Sequence, residues 1–524
     1  MRPQPRRLLA LISLLVLAAS AMGIATGSDA VRGAASLAGT AGTAGTAGTA
    51  DAAGAKPNII LILTDDQDLL LGSLDAMPRV RELLTREGTT FANAFVPLSL
   101  CCPSRTSILT GLYAHNTQIY TTALPDGGFQ RFRALGHENN TLGVALQGAG
   151  YRTALIGKYL NDYPKGVDPT YVPPGWNEWD VPAIGDAYYQ YNYTLNQNGT
   201  LVPHGNAEAD FLGDVLAERA RAFINESAVY RTPFFLYLNP YSPHKPAATA
   251  ARHAKLFRKA KAPRTPSFDE VNVSDKPQAI RERRRLNQYE MNELDKLYRL
   301  RLRSLQSVDE TVAGLIDLLE KNGQLDNTYI LFTSDNGFHM GQHRLLATKY
   351  TPYEEDIRVP LIVRGPGVRA NRVVKALTEN VDLAPTIAEL AGATMPVPVD
   401  GRSFVPFLRG GTPAQPWRKQ VFLEQFKFRE VPGTGVLEPA DGPAVEEYPT
   451  HLGLRTATYK FVEYFTGERE YYDLVSDRYE LQNLAPRLDA KLLGQLTARV
   501  HALSTCRGQA CRNVEAAPAL PGLK

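Results

Sequence analysis

Two acidic pairs in the sequence each follow a short apolar stretch. Asp65-Asp66 follow the apolar run at residues 58–63, and Asp335-Asn336 follow the run at residues 328–333. Together the pairs offer three carboxylates and one amide carbonyl, an all-oxygen set that suits a hard divalent cation such as Ca²⁺ or Mg²⁺. The set contains no histidine, which argues against a two-zinc centre. One such pair is often only a helix cap or a turn, but two pairs in matching positions favour a metal site.

A second reactive feature is the cysteine pair in the stretch LSLCCPSRTS at residues 98–107. Adjacent cysteines rarely bridge each other, because disulfide geometry needs Cα atoms farther apart and side chains that point together. The chain has four cysteines in all, and we expect Cys506 and Cys511 to form one small disulfide near the C-terminus. Cys101 and Cys102 then need another explanation. One explanation is a buried structural pair at the start of a helix.

The elements around these residues predict an α/β fold. Continuous apolar runs predict strands buried on both faces, and they lie at residues 58–63, 152–156, 233–239 and 328–333. Helical patterns alternate with them, at residues 77–87, 141–150 and 290–322. This alternation predicts a mostly parallel central sheet flanked by helices. Ligands of such sheets bind at the carboxyl ends of the strands, where both acidic pairs lie.

The remaining segments predict the domain organisation. Beyond Arg402 the patches become shorter and rich in tyrosine, which predicts antiparallel strands in a smaller C-terminal domain. Residues 253–285 are basic, proline-rich and weakly periodic; we expect a solvated insertion, with a substrate-binding arm as the alternative. The predicted divisions are a signal peptide (1–25), a flexible linker (26–56), a catalytic domain (57–400) and a C-terminal subdomain (401–524).

The N-terminus has the pattern of an export signal. Arg2, Arg6 and Arg7 precede an apolar run at residues 8–18, and a small-x-small cleavage pattern follows at residues 19–21. The run is shorter than the ~20 residues that span a bilayer. We therefore expect an exported protein, located outside the cell or in the cell envelope, with no stable membrane span. Both the general and the twin-arginine export routes stay open, and the Ala/Gly/Thr-rich residues that follow predict a flexible tether.

The charge balance bears on the partners of the protein. The 524 residues include 57 basic and 54 acidic side chains, a formal net charge of +3. So small an excess argues against a nucleic-acid binder, which needs a strongly basic surface. A local basic pocket for a small anion remains compatible with this balance.

The cysteine stretch resembles a known signature. Residues 101–105, CCPSR, followed by TSILTG, are similar to the Cys-x-Pro-Ser-Arg signature of type I sulfatases. Further segments across residues 57–490 resemble the same family: PNIILILTDDQD, GKYLN, TYILFTSDNGFHMGQHRL, YEEDIRVPLIVRGPG and YYDLVSDRYELQNLA. The Cys-Cys form of the signature and GKYLN are most like the N-acetylglucosamine-6-sulfatase branch.

The resemblance implies an alkaline-phosphatase-like fold and a set of residue roles. A formylglycine-generating enzyme would oxidise Cys101 to formylglycine, whose hydrated aldehyde attacks sulfur. Ca²⁺, with Mg²⁺ as the alternative, would be held by Asp65, Asp66, Asp335 and Asn336 together with residue 101. Arg105 would stabilise the hydrated aldehyde, Lys158 and Lys349 would bind sulfate oxygens, His244 would protonate the leaving oxygen, and His339 would contact substrate. For each histidine the alternative is a hydrogen-bonded structural role.

The implied function is that of an exported sulfatase, a sulfuric ester hydrolase that acts on sulfated sugars such as N-acetylglucosamine-6-sulfate units of glycosaminoglycans. Many arylsulfatases have Gly-Lys-x-His after the lysine-bearing strand, whereas Leu160 stands at the histidine position here. This difference argues against a simple arylsulfatase. The alternatives are a phosphodiesterase or phosphonate monoester hydrolase on the same scaffold, and an inactive carbohydrate-binding homologue.

Overall fold

The computed structural model describes residues 56–426 and 448–522. The predicted signal peptide, and the predicted linker apart from Lys56, lie outside the described residues. Among the helices of the described ranges, none is both long enough and apolar enough to cross a membrane.

A ten-stranded mixed sheet forms the centre of the fold, in the order β10-β2-β9-β8-β1-β7-β3-β4-β5-β6. Its strands are β1 (Asn58–Thr64), β2 (Thr89–Phe95), β3 (Arg152–Gly157), β4 (Glu178–Gly185), β5 (Tyr193–Gln197), β6 (Thr200–His204), β7 (Phe234–Asn239), β8 (Thr328–Ser334), β9 (Leu361–Arg364) and β10 (Arg372–Glu379). The contiguous strands β8, β1, β7, β3 and β4 run parallel. The strands β9, β5 and β6 pair antiparallel with their neighbours.

The helices vary from single turns to the long α8. They are α1 (Pro78–Val80), α2 (Cys101–Thr110), α3 (Ala114–Thr117), α4 (Gly128–Ala134), α5 (Leu142–Gly148), α6 (Leu212–Tyr230), α7 (Gln278–Arg281), α8 (Gln288–Lys321), α9 (Glu354–Ile357), α10 (Leu383–Ala391), α11 (Val405–Leu408), α12 (Ala490–Ser504) and α13 (Gln509–Ala516).

Strand β1 shows why the apolar runs become central strands. All seven of its residues are buried, and its side chains alternate between two cores, as the period of a strand requires. Ile59 and Leu61 pack with α2, α5 and α10 on one face. Ile60 and Ile62 pack with α6 and α8 on the other. Because helices cover both faces, neither face needs polar residues, and the prediction of a mostly parallel sheet flanked by helices is confirmed.

The C-terminal part contains a separate four-stranded antiparallel sheet, in the order β11-β12-β13-β14. Its strands are β11 (Gln420–Gln425), β12 (His451–Thr456), β13 (Tyr459–Tyr464) and β14 (Arg469–Asp473). One face packs with α12 and with Tyr113 and Val381 of the preceding part of the chain. Cys506 and Cys511 form a disulfide with an S–S distance of 2.05 Å. The division at residue 400 stays a prediction.

Two segments differ from the expectations drawn from the sequence. The helical pattern at residues 77–87 forms only the short α1 and a following π-helix, Arg81–Thr85. Residues 253–285 have little regular structure, yet Ser267, Glu270 and Ile280 are buried. The description of this segment as a solvated insertion is therefore wrong where these side chains are buried. The segment packs against the rest of the protein without forming a long helix or strand, so its burial leaves no periodic pattern in the sequence.

Candidate active site

The two acidic pairs lie side by side because their strands are neighbours. Strands β1 and β8 run parallel, with Thr64 opposite Ser334, so the residues that follow emerge at the same edge. The backbone N–H of Asp66 donates to Asp335 Oδ1 at 3.0 Å, and Asn336 Nδ2 donates to Asp66 Oδ1 at 2.7 Å. All four side chains of the pairs are buried.

The two adjacent cysteines have different surroundings. Cys101 is the first residue of α2, and its Sγ lies 3.5 Å from Asp65 Oδ1 and 3.8 Å from Asp66 Oδ1. Cys102 packs instead into the apolar core on the α2 side of the sheet. Burial raises the pKa of both thiols, that of Cys102 to about 12. The helix thus directs one thiol to the acidic pairs and the other to the core.

Three cations converge on the same carboxylates. Lys158, directly after β3, places Nζ 2.8 Å from Asp65 Oδ2. Lys349 Nζ lies 2.6 Å from Asp66 Oδ1 and 2.7 Å from Cys101 Sγ. Arg105, one turn along α2 from Cys101, donates from Nε to Asp335 Oδ2 at 2.8 Å and from Nη1 to the backbone carbonyl of Lys158 at 2.9 Å.

These charges set the protonation states of the carboxylates. Burial alone would raise the pKa of Asp65 and of Asp66, but Lys158 beside Asp65 and Lys349 beside Asp66 hold both values below the usual range. For Asp335, burial and the nearby negative charge of Asp65 prevail and raise the pKa to about 6. The site is therefore a buried cluster of charges of both signs around one thiol.

His244 and His339 occupy different surroundings. His244 Nε2 lies 3.6 Å from Asp66 Oδ2, and its Nδ1 lies 2.6 Å from the carbonyl of Lys245. Burial lowers the pKa of His244. His339 Nδ1 lies 2.9 Å from both carboxylate oxygens of Asp356. His244 thus lies beside the acidic pairs, whereas His339 is hydrogen-bonded to Asp356.

The grouped side chains could hold a metal ion. Asp65, Asp66, Cys101 and His244 each present a ligand atom, and these atoms all lie within 4.8 Å of one another. Asn336 Oδ1 is buried and has no hydrogen-bond partner among the described residues. A cation coordinated by oxygen would satisfy this carbonyl and compensate the adjoining carboxylates. The arrangement therefore supports a metal site at the edge where the sequence places it.

The cluster opens into a cavity of about 700 Å³. Asp66, His244 and Lys349 form part of its wall. The cavity therefore gives a ligand access to the buried charges, so an anionic group could contact the lysines while the rest of the ligand occupies the cavity.

Sequence reasoning missed two side chains that shape the site. Asp356 contacts His339, and its Oδ2 also accepts from the backbone N–H and hydroxyl of Thr351. The ring of Tyr188 lies 4.4 Å from the ring of His244, centroid to centroid, and 5.0 Å from Lys158 Nζ. Asp356 lies within the quoted YEED segment, where it could have been considered. Tyr188 lies in the short 3-10 turn Ala187–Tyr189, where the sequence carries no such signal.

Comparison with known proteins assigns the family. The sulfatase family model matches residues 57–393, and the model of the C-terminal region of N-sulphoglucosamine sulphohydrolase matches residues 341–505. The chain belongs to the sulfatase family. It is a sulfuric ester hydrolase, as the motifs predicted.

Individual relatives agree with this assignment. The sulfatase is 37% identical over 481 residues to the N-acetylglucosamine-6-sulfatase of Capra hircus, covering 87% of this chain and 85% of the relative. It resembles a protein solved in complex with its substrate D-glucosamine-2-N,6-O-disulfate, with a TM-score of 0.69, 25% identity, and coverage of 89% and 100%. The phosphonate monoester hydrolase of Agrobacterium radiobacter shares the fold, with a TM-score of 0.65, 22% identity, and coverage of 87% and 96%.

Proposed function

We propose that this sulfatase removes the 6-O-sulfate from glucosamine-type sugars, such as N-acetylglucosamine-6-sulfate units of glycosaminoglycans. The observation that carries the proposal is the position of Cys101 Sγ, 2.7 Å from Lys349 Nζ and 3.5 Å from Asp65 Oδ1. The similarity to N-acetylglucosamine-6-sulfatase and to the protein bound to a glucosamine disulfate supports the choice of sugar.

Residue 101 is proposed to act after oxidation to formylglycine by a formylglycine-generating enzyme. In that form it would supply a hydrated aldehyde as the nucleophile toward sulfur. The position of Cys101 at the N-terminus of α2 supports this role, because the helix dipole favours negative charge there. The separate surroundings of Cys102 support Cys101 as the thiol that is modified.

The proposed metal ion is Ca²⁺, with Mg²⁺ as the alternative. Its ligands would be Asp65, Asp66, Asp335 and Asn336, with residue 101 alongside. When bound, the ion would polarise a sulfate oxygen and add positive charge where the reaction develops negative charge.

Lys158 and Lys349 are proposed to bind the sulfate group, and Arg105 is proposed to stabilise the hydrated aldehyde of residue 101. Sulfuryl transfer, like phosphoryl transfer, spreads negative charge over the equatorial and leaving oxygens, so fixed positive groups stabilise its transition state. Lys349 and Lys158 each lie within 3 Å of a carboxylate that positions them. Arg105 donates to Asp335, which follows β8, and to the carbonyl of Lys158, which follows β3. It therefore connects α2 to the ends of these two strands.

His244 is proposed to protonate the leaving oxygen of the sugar. Its Nδ1–H donates to the carbonyl of Lys245 at 2.6 Å, which orients the ring, and the proton for the leaving oxygen is a second one that the ring takes up on Nε2. Nε2 lies on the side of Asp66, at the wall of the cavity. His339, held by Asp356, is proposed to contact substrate and not to transfer a proton.

Export is proposed from the leader at residues 1–25, which would place the mature enzyme outside the cell or in the cell envelope. The N-terminal sequence of the secreted protein tests this. A mature chain that begins near residue 26 would support cleavage, and a chain that retains Met1 would contradict it.

The proposed activity is tested by sulfate release from N-acetylglucosamine-6-sulfate, measured beside p-nitrophenyl sulfate and a phosphodiester analogue. We expect the sugar sulfate to be the best of the three substrates. A higher kcat/KM for the phosphodiester would favour the phosphonate-hydrolase alternative. Absence of turnover for all three, from enzyme whose residue 101 is formylglycine, would contradict the proposed substrate class.

A further inference from the structure

The exposed part of the cavity differs in character from its deep end. Its lining includes Tyr189, Tyr289 and Leu346, whose exposed fractions are 60%, 73% and 39%. The deep end has the buried Asp66 and Lys349 instead. The cavity therefore leads from buried charges to an aromatic mouth.

The cavity is larger than one sulfated sugar requires. Pockets for drug-sized ligands measure roughly 300–1,000 Å³, and this cavity, at about 700 Å³, lies well within that range. A single hexose sulfate, with its sulfate group among the lysines, would leave the mouth unfilled. The remaining volume can take a second sugar unit.

Both tyrosines lie on rigid backbone. Tyr289 is in the first turn of α8, where Asn287 Oδ1 accepts from the N–H of Glu290 at 2.9 Å and Glu290 accepts from the N–H of Asn287 at 2.8 Å. Tyr189 ends a short 3-10 turn whose start is capped by Asp186, which accepts from the N–H of Tyr188 at 3.1 Å. Rings on fixed backbone cost little conformational entropy on binding.

The chemistry of the mouth suits a sugar. The C–H face of a pyranose ring is apolar and packs on an aromatic ring, while its hydroxyl groups need donors and acceptors. Glu293 and Lys296, farther along α8, also line the cavity; Lys296 Nζ lies 3.2 Å from Glu293 Oε2, and the two side chains are 48% (Glu293) and 61% (Lys296) exposed. An aromatic surface bordered by a carboxylate and an amine offers both kinds of contact.

We propose that Tyr189 and Tyr289 form a second sugar subsite, which binds the unit linked to the sulfated sugar in an oligosaccharide. This inference rests on the proposed function. It implies that the preferred substrate is an oligosaccharide with its sulfated unit at the deep end and the next sugar against the two tyrosines.

The test compares two substrates: N-acetylglucosamine-6-sulfate, and a disaccharide with the same sulfated sugar at its non-reducing end. Variants Tyr189→Ala and Tyr289→Ala remove the rings, and the matched control Phe465→Ala removes an exposed ring, 71% accessible, that is not among the cavity-lining residues. We expect each tyrosine variant to lose about three- to tenfold in kcat/KM on the disaccharide, which corresponds to the usual value of an aromatic contact.

The same variants should retain the monosaccharide activity of the wild type, and Tyr289→Phe should retain activity on both substrates. An equal loss on both substrates, or no loss on the disaccharide, would overturn the subsite while leaving the proposed function intact. Failure of the wild-type enzyme to hydrolyse either substrate would overturn the proposed function, and the subsite with it.

Discussion

Two buried charge clusters of the sulfatase differ in composition and in surroundings. At the edge of the central sheet, Asp65, Asp66 and Asp335 meet Arg105, Lys158 and Lys349 beside a thiol and a cavity. In the second cluster, Glu379, Asp382 and Glu515 surround the fully buried Arg418.

The second cluster joins parts of the chain that are far apart in sequence. Arg418 Nε lies 2.9 Å from Glu515 in α13, and Nη2 lies 2.8 Å from Asp382, just before α10. Burial, and then the neighbouring carboxylates, raise the pKa of Glu379 to about 8. Buried charge alone therefore does not mark an active site. A thiol within the cluster and access from a cavity distinguish the first cluster from the second.

The largest expected effect is a loss of activity that differs between the two adjacent cysteines. Cys101→Ala should abolish sulfate release while leaving the unfolding transition in place, because its side chain contacts the charge cluster and contributes little to the core. Cys102→Ala is the matched control and should keep much of the activity. Measurements of kcat and of urea unfolding on both variants check this. Equal loss of activity in the two variants would mean that the nucleophile is misassigned.

In the second cluster, Arg418→Met should destabilise the fold by about 3–5 kcal/mol, because removing one partner of a buried ion pair leaves the others uncompensated. The kcat of the remaining folded enzyme should stay near that of the wild type. The control is Arg252→Met, which removes a partly exposed arginine bonded to Asp214 and Glu310 and should cost about 0–1 kcal/mol. A large loss of kcat in folded Arg418→Met would contradict a purely structural role.

In the first cluster, Lys158→Ala should lower kcat by about 10²–10³-fold, the usual effect of removing one group that stabilises developing charge. Lys165→Ala is the matched control, since Lys165 lies in the same loop with a side chain that is 67% exposed. Steady-state kinetics on the sugar sulfate measures both variants. An unchanged kcat in Lys158→Ala would remove this residue from the proposed sulfate site.

The smallest effect concerns pH and lies away from both clusters. Burial lowers the pKa of His451, in β12, to about 4, so the folded protein keeps this ring neutral while the unfolded chain protonates it near pH 6.5. The free energy of unfolding is therefore unaffected by this ring above pH 6.5 and decreases as the pH falls toward 4. The decrease is about 2 kcal/mol at pH 5. His451→Gln should lose less stability than the wild type between pH 7 and pH 5 in urea unfolding. Parallel losses would contradict the assignment.

Four strands of the ten-stranded central sheet, and the positions of the acidic pairs, could be predicted from the sequence. A continuous apolar run indicates a strand that is buried on both faces. Residues that directly follow two neighbouring parallel strands lie at the same edge of the sheet. The strands β1, β3, β7 and β8 all lie where these runs predict them. Asp65 and Asp335 could thus be paired without knowledge of the intervening chain.

Contacts that depend on irregular segments could not be predicted in this way. Lys349 reaches Cys101 across 248 residues of sequence from a loop without regular structure. Tyr188 contacts His244, and Arg418 forms an ion pair with Glu515. Both contacts depend on side-chain packing, which produces no periodic pattern in the sequence. Family resemblance supplied Lys349 and His244, but neither resemblance nor periodicity supplied Tyr188 or Arg418.

The central claim is that residue 101, and not residue 102, is converted to an aldehyde beside the acidic pairs. The most direct measurement is the mass of the proteolytic peptide that contains both cysteines, taken from active enzyme, with fragmentation to locate the change. We expect residue 101 to carry the mass of formylglycine and residue 102 to remain cysteine. Unmodified cysteine at residue 101 in fully active enzyme would contradict it.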